Sequence, residues 1–232
     1  MLQRLVGAVG ALLLLRVNNS DWLMDRSISL ATSVPCVVAG VDEVGRGALF
    51  GPVVAAAVVL PDAALPLLSN IGVTDSKLLK QSQRLKLAEQ IYQQAIECQI
   101  GLASAQEIDR LNILQASLLA MRRAILKFRV PPDLCLIDGN RPIPELTIAQ
   151  QTIVKGDQKV LAIAAASIIA KVWRDALITR LASQYPAYDL AVNKGYGTAK
   201  HRQALQSKGP STLHRHSFSP CQSGILSIQD KE

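Results

Sequence analysis

Apolar and polar positions along the chain follow two periods. Residues 35–41 and 53–60 are short, β-branched apolar runs fit for buried strands. The glycine, arginine and proline stretch between them marks a turn, so the two runs are expected to pair as a hairpin. "ECQIGLAS" predicts a third strand, and "DLCLIDG" a compact buried strand ending in an acid and a glycine. "LTIAQQTIV" follows as a further strand, with "KGD" as the loop after it. Helical spacing covers about 81–96, 105–111 and 113–128, with Asp75 or Ser76 as a cap for the first and "VPP" stopping the last. Residues 159–183 have the Ala, Ile and Leu content of a long buried helix closed by Pro186, and 198–206 predict a shorter one. Residues 61–80 read as loop. Strands come first as a meander and later alternate with helices. This order predicts an α/β fold: a mixed central β-sheet flanked by helices, with a small helical C-terminal region.

Composition narrows the class. At 232 residues, with 49% apolar and 19% charged positions, the chain can bury a substantial single core, which argues for a folded globular protein and against a disordered one. The formal net charge is +7, which suits a polyanionic partner without requiring one. Residues 190–229 hold no Asp or Glu but carry Lys194, Lys200, Arg202, Lys208 and Arg215 with His201, His214 and His216. That is either a local basic surface or a solvated tail. Cys36, Cys98, Cys135 and Cys221 form no CxxC pair, so neither a zinc site nor a disulfide framework is indicated, as in a reducing cytoplasm. The opening "MLQRLVGAVGALLLLR" is too short an apolar run to span a bilayer, and no small-x-small cleavage site follows it. The expected organisation is an extension over 1–34, disordered or from an over-called start, then a catalytic domain over 35–220 and a tail over 221–232. The basic helical part of the domain begins near 186.

Four acids stand at or near strand ends or in adjoining loops: Asp42, Glu43, Asp138 and Asp157. Adjacent residues on a regular strand point to opposite faces, so Asp42 and Glu43 can share a site only where the strand ends. Crowded carboxylates repel unless cations neutralise them, and oxygen ligands select Mg²⁺ or Mn²⁺. Two such ions about 4 Å apart activate a water and stabilise the leaving oxygen of a phosphodiester, which would make the chain a nuclease. The plainer alternative is that each acid caps a helix or forms a salt bridge. "GRG", Gly45 to Gly47, lets backbone approach a ligand closely, and Arg46 suits a phosphate. A dinucleotide site would need GxGxxG opening a helix, whereas a strand follows here, and no GxxxxGK[ST] occurs. In "NKGYGT", Tyr196 sits between two glycines, placed either to stack on a sugar or base or to cover the core edge.

The blocks "GVDEVGRGALFGPVVAAAVVL", "TDSKLL", "IDGNRPIP", "VKGDQKVLAIAAASIIAKVWRD", "NKGYGT" and "GPSTLHRHSFSP" resemble those of the ribonuclease HII family, in that family's order, over about residues 36–220. The resemblance implies an RNase H-like fold. It implies an endonuclease that cleaves RNA in RNA–DNA hybrids and incises at single ribonucleotides in duplex DNA, leaving 5′-phosphate and 3′-hydroxyl ends. By position, Asp42, Glu43 and Asp138 look like the family's catalytic metal ligands and Asp157 like its fourth acid, with Mn²⁺ or Mg²⁺ as cofactor. Gly45, Arg46 and Gly47 match the loop that reads the 2′-hydroxyl, and Tyr196 the tyrosine that stacks beside it. Lys77, Lys171 and Arg174 are further candidates for phosphate contact, and Ser167 lies one helical turn from Lys171 on a shared face. Ala48 and Phe50 depart from the family pattern, which commonly has proline and a small residue there. The expected partners are RNA–DNA hybrid and ribonucleotide-containing duplex DNA, with no membrane, a monomeric state, and a replication clamp left open. Two other readings stand beside this one. A non-catalytic hybrid-binding protein would have no reason to keep four repelling acids, and a transposase or integrase would need a flanking DNA-binding module.

Overall fold

Five runs of the chain form one sheet in the computed structural model, which describes residues 36–222. The strands are β1 (Val38–Val44), β2 (Val53–Val59), β3 (Glu97–Ala103), β4 (Leu134–Asp138) and β5 (Ala149–Ile153), in the order β3-β2-β1-β4-β5. β1, β2 and β3 pair antiparallel as the expected meander, whereas β4 and β5 add in parallel beside β1. The helices are α1 (Leu65–Asn70), α2 (Gln81–Gln94), α3 (Ala105–Leu111), α4 (Ile113–Ile125), α5 (Leu161–Leu181), α6 (Leu190–Asn193) and α7 (Ala199–Lys208). The extension expected over 1–34 lies outside the described residues, as does most of the tail expected over 221–232.

β2 explains the layering. Its sequence VVAAAVV is buried at every position, so it is covered on both faces. Val53, Ala55, Ala57 and Val59 join Ala116, Ala120, Met121 and Ala124 of α4 in one cluster. Ala56 and Val58 face Ala164, Ala165, Ile168 and Ile169 of α5 in another. The period of two thus assigns alternate residues to alternate helices. Small side chains bring α5 onto the sheet: a Cβ at Gly40 would come to 2.5 Å from the Ala162 carbonyl oxygen.

Two boundaries differ from the sequence reading. Residues 65–70 form α1, not loop, because Pro66 falls in the first turn, where its missing N–H costs nothing. β1 runs on through both acids to Val44. The reason is the asymmetry of its two neighbours. Pairing with β2 continues to Val44↔Val54, but the parallel pairing with β4 stops at Val41↔Ile137. Asp42 and Glu43 therefore sit where β1 is still a strand on one side and already a free edge on the other.

The C-terminal part is fastened to the rest by its own core. Leu49 and Phe50 pack with Ile178 of α5 and with Tyr188, Leu190, Leu205 and Cys221. The family departure at Phe50 is thereby explained: its ring lies edge-on to Tyr185 and His214, with centroids 5.1 and 5.0 Å away. Cys135 and Cys221 are buried and Cys36 and Cys98 half-buried, all as free thiols. No helix among the described residues is long and apolar enough to cross a membrane.

Candidate active site

Asp42, Glu43 and Asp138 meet at the free edge of β1 and the end of β4, each offering a carboxylate oxygen within 4.8 Å of the others'. Asp42 is 4% exposed and accepts the N–H of Glu43 at 2.6 Å. Burial, then the charges of Glu43 and Asp138, push its carboxyl well above the usual range, against a hydrogen bond with Ser167. Burial also raises Glu43, with Arg46 opposing and Asp138 adding. Asp138 accepts the N–H of Gly156 at 2.7 Å, which ties the end of β4 to the "KGD" turn. The raised carboxyls of Asp42 and Glu43, crowded against Asp138, are the electrostatic signature of a site that a divalent ion would satisfy.

Asp157 lies outside that triad. It is buried, and its Oδ2 faces the Lys77 ammonium at 3.4 Å. Burial, Asp75 and Asp138 raise its carboxyl, while Lys77 lowers it. For Lys77, burial works downward, but Asp157, Asp75 and Asp42 outweigh it and raise the ammonium. Asp75 does not cap α2 as expected, since the N-cap there is Lys80; it caps the 76–78 turn instead, accepting the N–H of Lys77 at 2.9 Å. It is also a buried fifth acid bordering the cluster, bonded at 3.3 Å by Gln158. Ser167 is buried and shares a 2.9 Å hydrogen bond with Ser76, so α5 and the 76–78 turn meet beside Asp42.

The glycine loop and the tyrosine loop are one unit. The Leu49 N–H donates to the Gly195 carbonyl at 2.7 Å, and Ala48 pairs with Tyr196 as an isolated β-bridge. Arg46 is exposed, with Nη1 3.3 Å from Glu43 Oε1. Gly45 has φ +92°, and a Cβ there would come to 2.7 Å from Cδ of Arg174, whereas the space around Gly47 is open. The Tyr196 ring lies 5.4 Å from the Lys171 ammonium, and Lys171 is also paired with Asp175 at 2.8 Å.

Two sequence expectations fail here. Arg174 does not reach solvent-borne phosphate, because it is fully buried and donates to backbone carbonyls. The basic C-terminal stretch is only partly a surface, since His201, His214 and Arg215 are each 0% exposed. The histidines pair Nε2 to Nε2 at 3.0 Å. His214 Nδ1 accepts the Ser211 N–H and His201 Nδ1 bonds the Tyr196 carbonyl, so the proton between them belongs to His214 and both rings are neutral. No spacing rule marks these residues, because their partners, loop carbonyls for Arg174, Arg215 and His201 and the His201 ring and Ser211 for His214, are assembled only by the fold.

This sheet, with its acids gathered at the end of the parallel half, belongs to the ribonuclease H class. Ribonuclease H2 of Pyrococcus horikoshii OT3 superposes with a TM-score of 0.72 at 26% identity, covering 84% of this chain and 100% of that one. Ribonuclease HII of Archaeoglobus fulgidus, solved as a complex with PCNA, gives 0.64 at 29% identity over 77% and 92%. The chain belongs to the ribonuclease HII family, whose model matches residues 39–221. Ribonuclease HII of Trichodesmium erythraeum is 58% identical over 212 residues, which is 91% of this chain and 98% of the relative. That of Acaryochloris marina is 62% identical over 189 residues, 82% and 96% of the two chains. The protein is a hydrolase with ribonuclease H endonuclease activity.

Proposed function

We propose that the chain, acting as a monomer, hydrolyses the RNA strand of RNA–DNA hybrids and also incises at single ribonucleotides embedded in duplex DNA. Asp42, Glu43 and Asp138 hold divalent ions, with Asp157 as the fourth acid. The observation that carries this reading is the meeting of three carboxylates within 4.8 Å, beside a glycine loop annealed to Tyr196. Two ions, Mg²⁺ or Mn²⁺, would supply the charge that activates the attacking water and steadies the leaving 3′-oxygen, giving 5′-phosphate and 3′-hydroxyl ends. The protein's own groups orient the substrate. Backbone freed at Gly45 and Gly47 comes close enough to bond a 2′-hydroxyl, which both donates and accepts. The exposed Arg46 and Lys77 suit phosphates, Tyr196 offers a face for stacking, and Lys171 adds positive charge beside it. Asp157, already held by Lys77, is free to exchange that ammonium for a metal-site contact when nucleic acid engages the lysine. A sliding clamp is the partner class suggested by the Archaeoglobus fulgidus relative.

Cleavage of a labelled RNA–DNA hybrid and of a DNA duplex carrying one ribonucleotide, each with Mg²⁺, with Mn²⁺ and with chelator, tests the proposal. Metal-dependent cutting of both, with 5′-phosphate products, is expected. Failure to cut the single-ribonucleotide duplex with either ion removes the finer claim, and cutting in chelator removes the metal mechanism.

A further inference from the structure

Arg174 and Arg215 are among the largest fully buried side chains, and neither has a carboxylate within ion-pair distance among the described residues. The acids whose charge they feel are occupied. Asp175, near Arg174, is paired with Lys171, and Asp109, near Arg215, accepts the N–H groups of His216 and Ser217. Burial and the neighbouring Arg174 push the Arg215 guanidinium down to about 9, which leaves it charged at neutral pH. A buried charge without a counter-ion is costly, and it is tolerated where its donors meet acceptors that no other side chain could serve together.

Those acceptors are backbone carbonyls of two loops. Arg174 donates from Nε to Pro52 at 3.1 Å, from Nη2 to Phe50 at 2.9 Å and from Nη1 to Lys194 at 2.9 Å. Arg215 donates from Nε to Gly51 at 3.0 Å and from Nη1 to Arg46 at 2.9 Å. Arg174 also fills the space a Cβ would need at Gly45, and its Nη2 is 3.5 Å from the Cβ position of Gly195. Gly45 is thus required by the arginine beneath it, whereas a Cβ at Gly195 would meet the Phe50 carbonyl oxygen at 2.8 Å. On α5, Ser167, Lys171 and Arg174 follow one another at spacings of four and three, so they share a helix face. Along that face Ser167 bonds Asp42, Lys171 lies by the Tyr196 ring, and Arg174 lies under both loops.

We propose that Arg174, assisted by Arg215, is a positioning residue that sets the 45–52 and 193–198 loops in register with the carboxylate cluster, and so determines discrimination of ribose from deoxyribose. The inference rests on the proposed reading of the glycine loop. A planar guanidinium serves three carbonyls at fixed angles, which a lysine ammonium of equal charge does not. Binding is measured in the full chain carrying Asp42→Asn, with Mn²⁺, by fluorescence anisotropy on a duplex with one ribonucleotide and on the same duplex in all-deoxy form. Adding Arg174→Lys reduces the preference for the ribonucleotide duplex by about tenfold or more, the worth of a lost hydrogen bond or two, and leaves all-deoxy binding within about twofold. Circular dichroism and thermal melting establish that each variant is folded. If Arg174→Lys does not fold, Arg215→Lys, which loses the bridge to Arg46 and Gly51, is expected to give the same signature. No ribose preference in Asp42→Asn alone overturns the loop reading and this proposal with it. A preference that survives a folded Arg174→Lys, or a folded Arg215→Lys in its place, overturns the positioning role alone.

Discussion

Replacing Asp42 with Asn makes the metal-free protein more stable, although a buried, hydrogen-bonded residue is being changed. Unit charges 4.8 Å apart repel by about 3.5 kcal/mol at an effective dielectric constant of 20. Asp42 faces two such neighbours, Glu43 and Asp138. The cluster limits this cost by taking up a proton, which at pH 7 costs about 4 kcal/mol for a carboxyl of ordinary pKa. Asparagine removes one charge and keeps an oxygen for the Glu43 N–H. The net gain is about 1–3 kcal/mol. Divalent metal reverses the order, because wild type gains about 2.7 kcal/mol at a hundredfold excess over Kd and the variant gains little. Urea unfolding followed by circular dichroism, in chelator and in Mn²⁺, reads both effects. A variant less stable than wild type in chelator, or two proteins stabilised equally by Mn²⁺, refutes the reasoning.

Three further outcomes follow from the packing and the buried histidines. Gly101→Ala puts a Cβ into the backbone of α4 at Ala120 and Ala124 and costs about 3 kcal/mol or more. Gly47→Ala, in open space, changes stability by under about 0.5 kcal/mol in the same urea titration. Burial, then His201 and His216, lower His214 from 6.5 to about 3. The unfolded chain therefore binds the proton first, and this part of the stability is complete above about pH 6.5 and lost as pH falls toward 3. Between pH 7 and pH 5 wild type loses about 2 kcal/mol more than a His214→Gln variant; equal losses would show that the pair is not held neutral.

What was legible from sequence divides along physical lines. β2 and the first half of α5 announced themselves because burial on both faces demands a nearly continuous run of apolar residues. The acids were legible as a group, since a repelling cluster has few uses besides cation binding. Their setting was not: that β1 loses its β4 neighbour at Val41 while keeping β2 to Val44 is a matter of register between distant segments. Arg174, Arg215, His201 and His214 looked like surface for a similar reason. Polar residues are assigned outward by default, and the carbonyls that bond Arg174, Arg215 and His201 come from residues 46–52 and 194–196, while His214 bonds His201 and Ser211; these partners approach only in the folded chain. The link between Asp157 and Lys77 spans 80 positions and was equally invisible.

The central claim, that Asp42, Glu43 and Asp138 form a metal site that cuts beside a loop that selects ribose, is tested most directly by one comparison. Wild type and Asp42→Asn are incubated at equal concentration with a duplex carrying a single ribonucleotide in Mn²⁺, and cleavage and binding are followed together. The account predicts incision at the ribonucleotide by wild type, and by Asp42→Asn a loss of about a thousandfold or more in rate with binding retained. Cleavage by Asp42→Asn at the wild-type rate contradicts it.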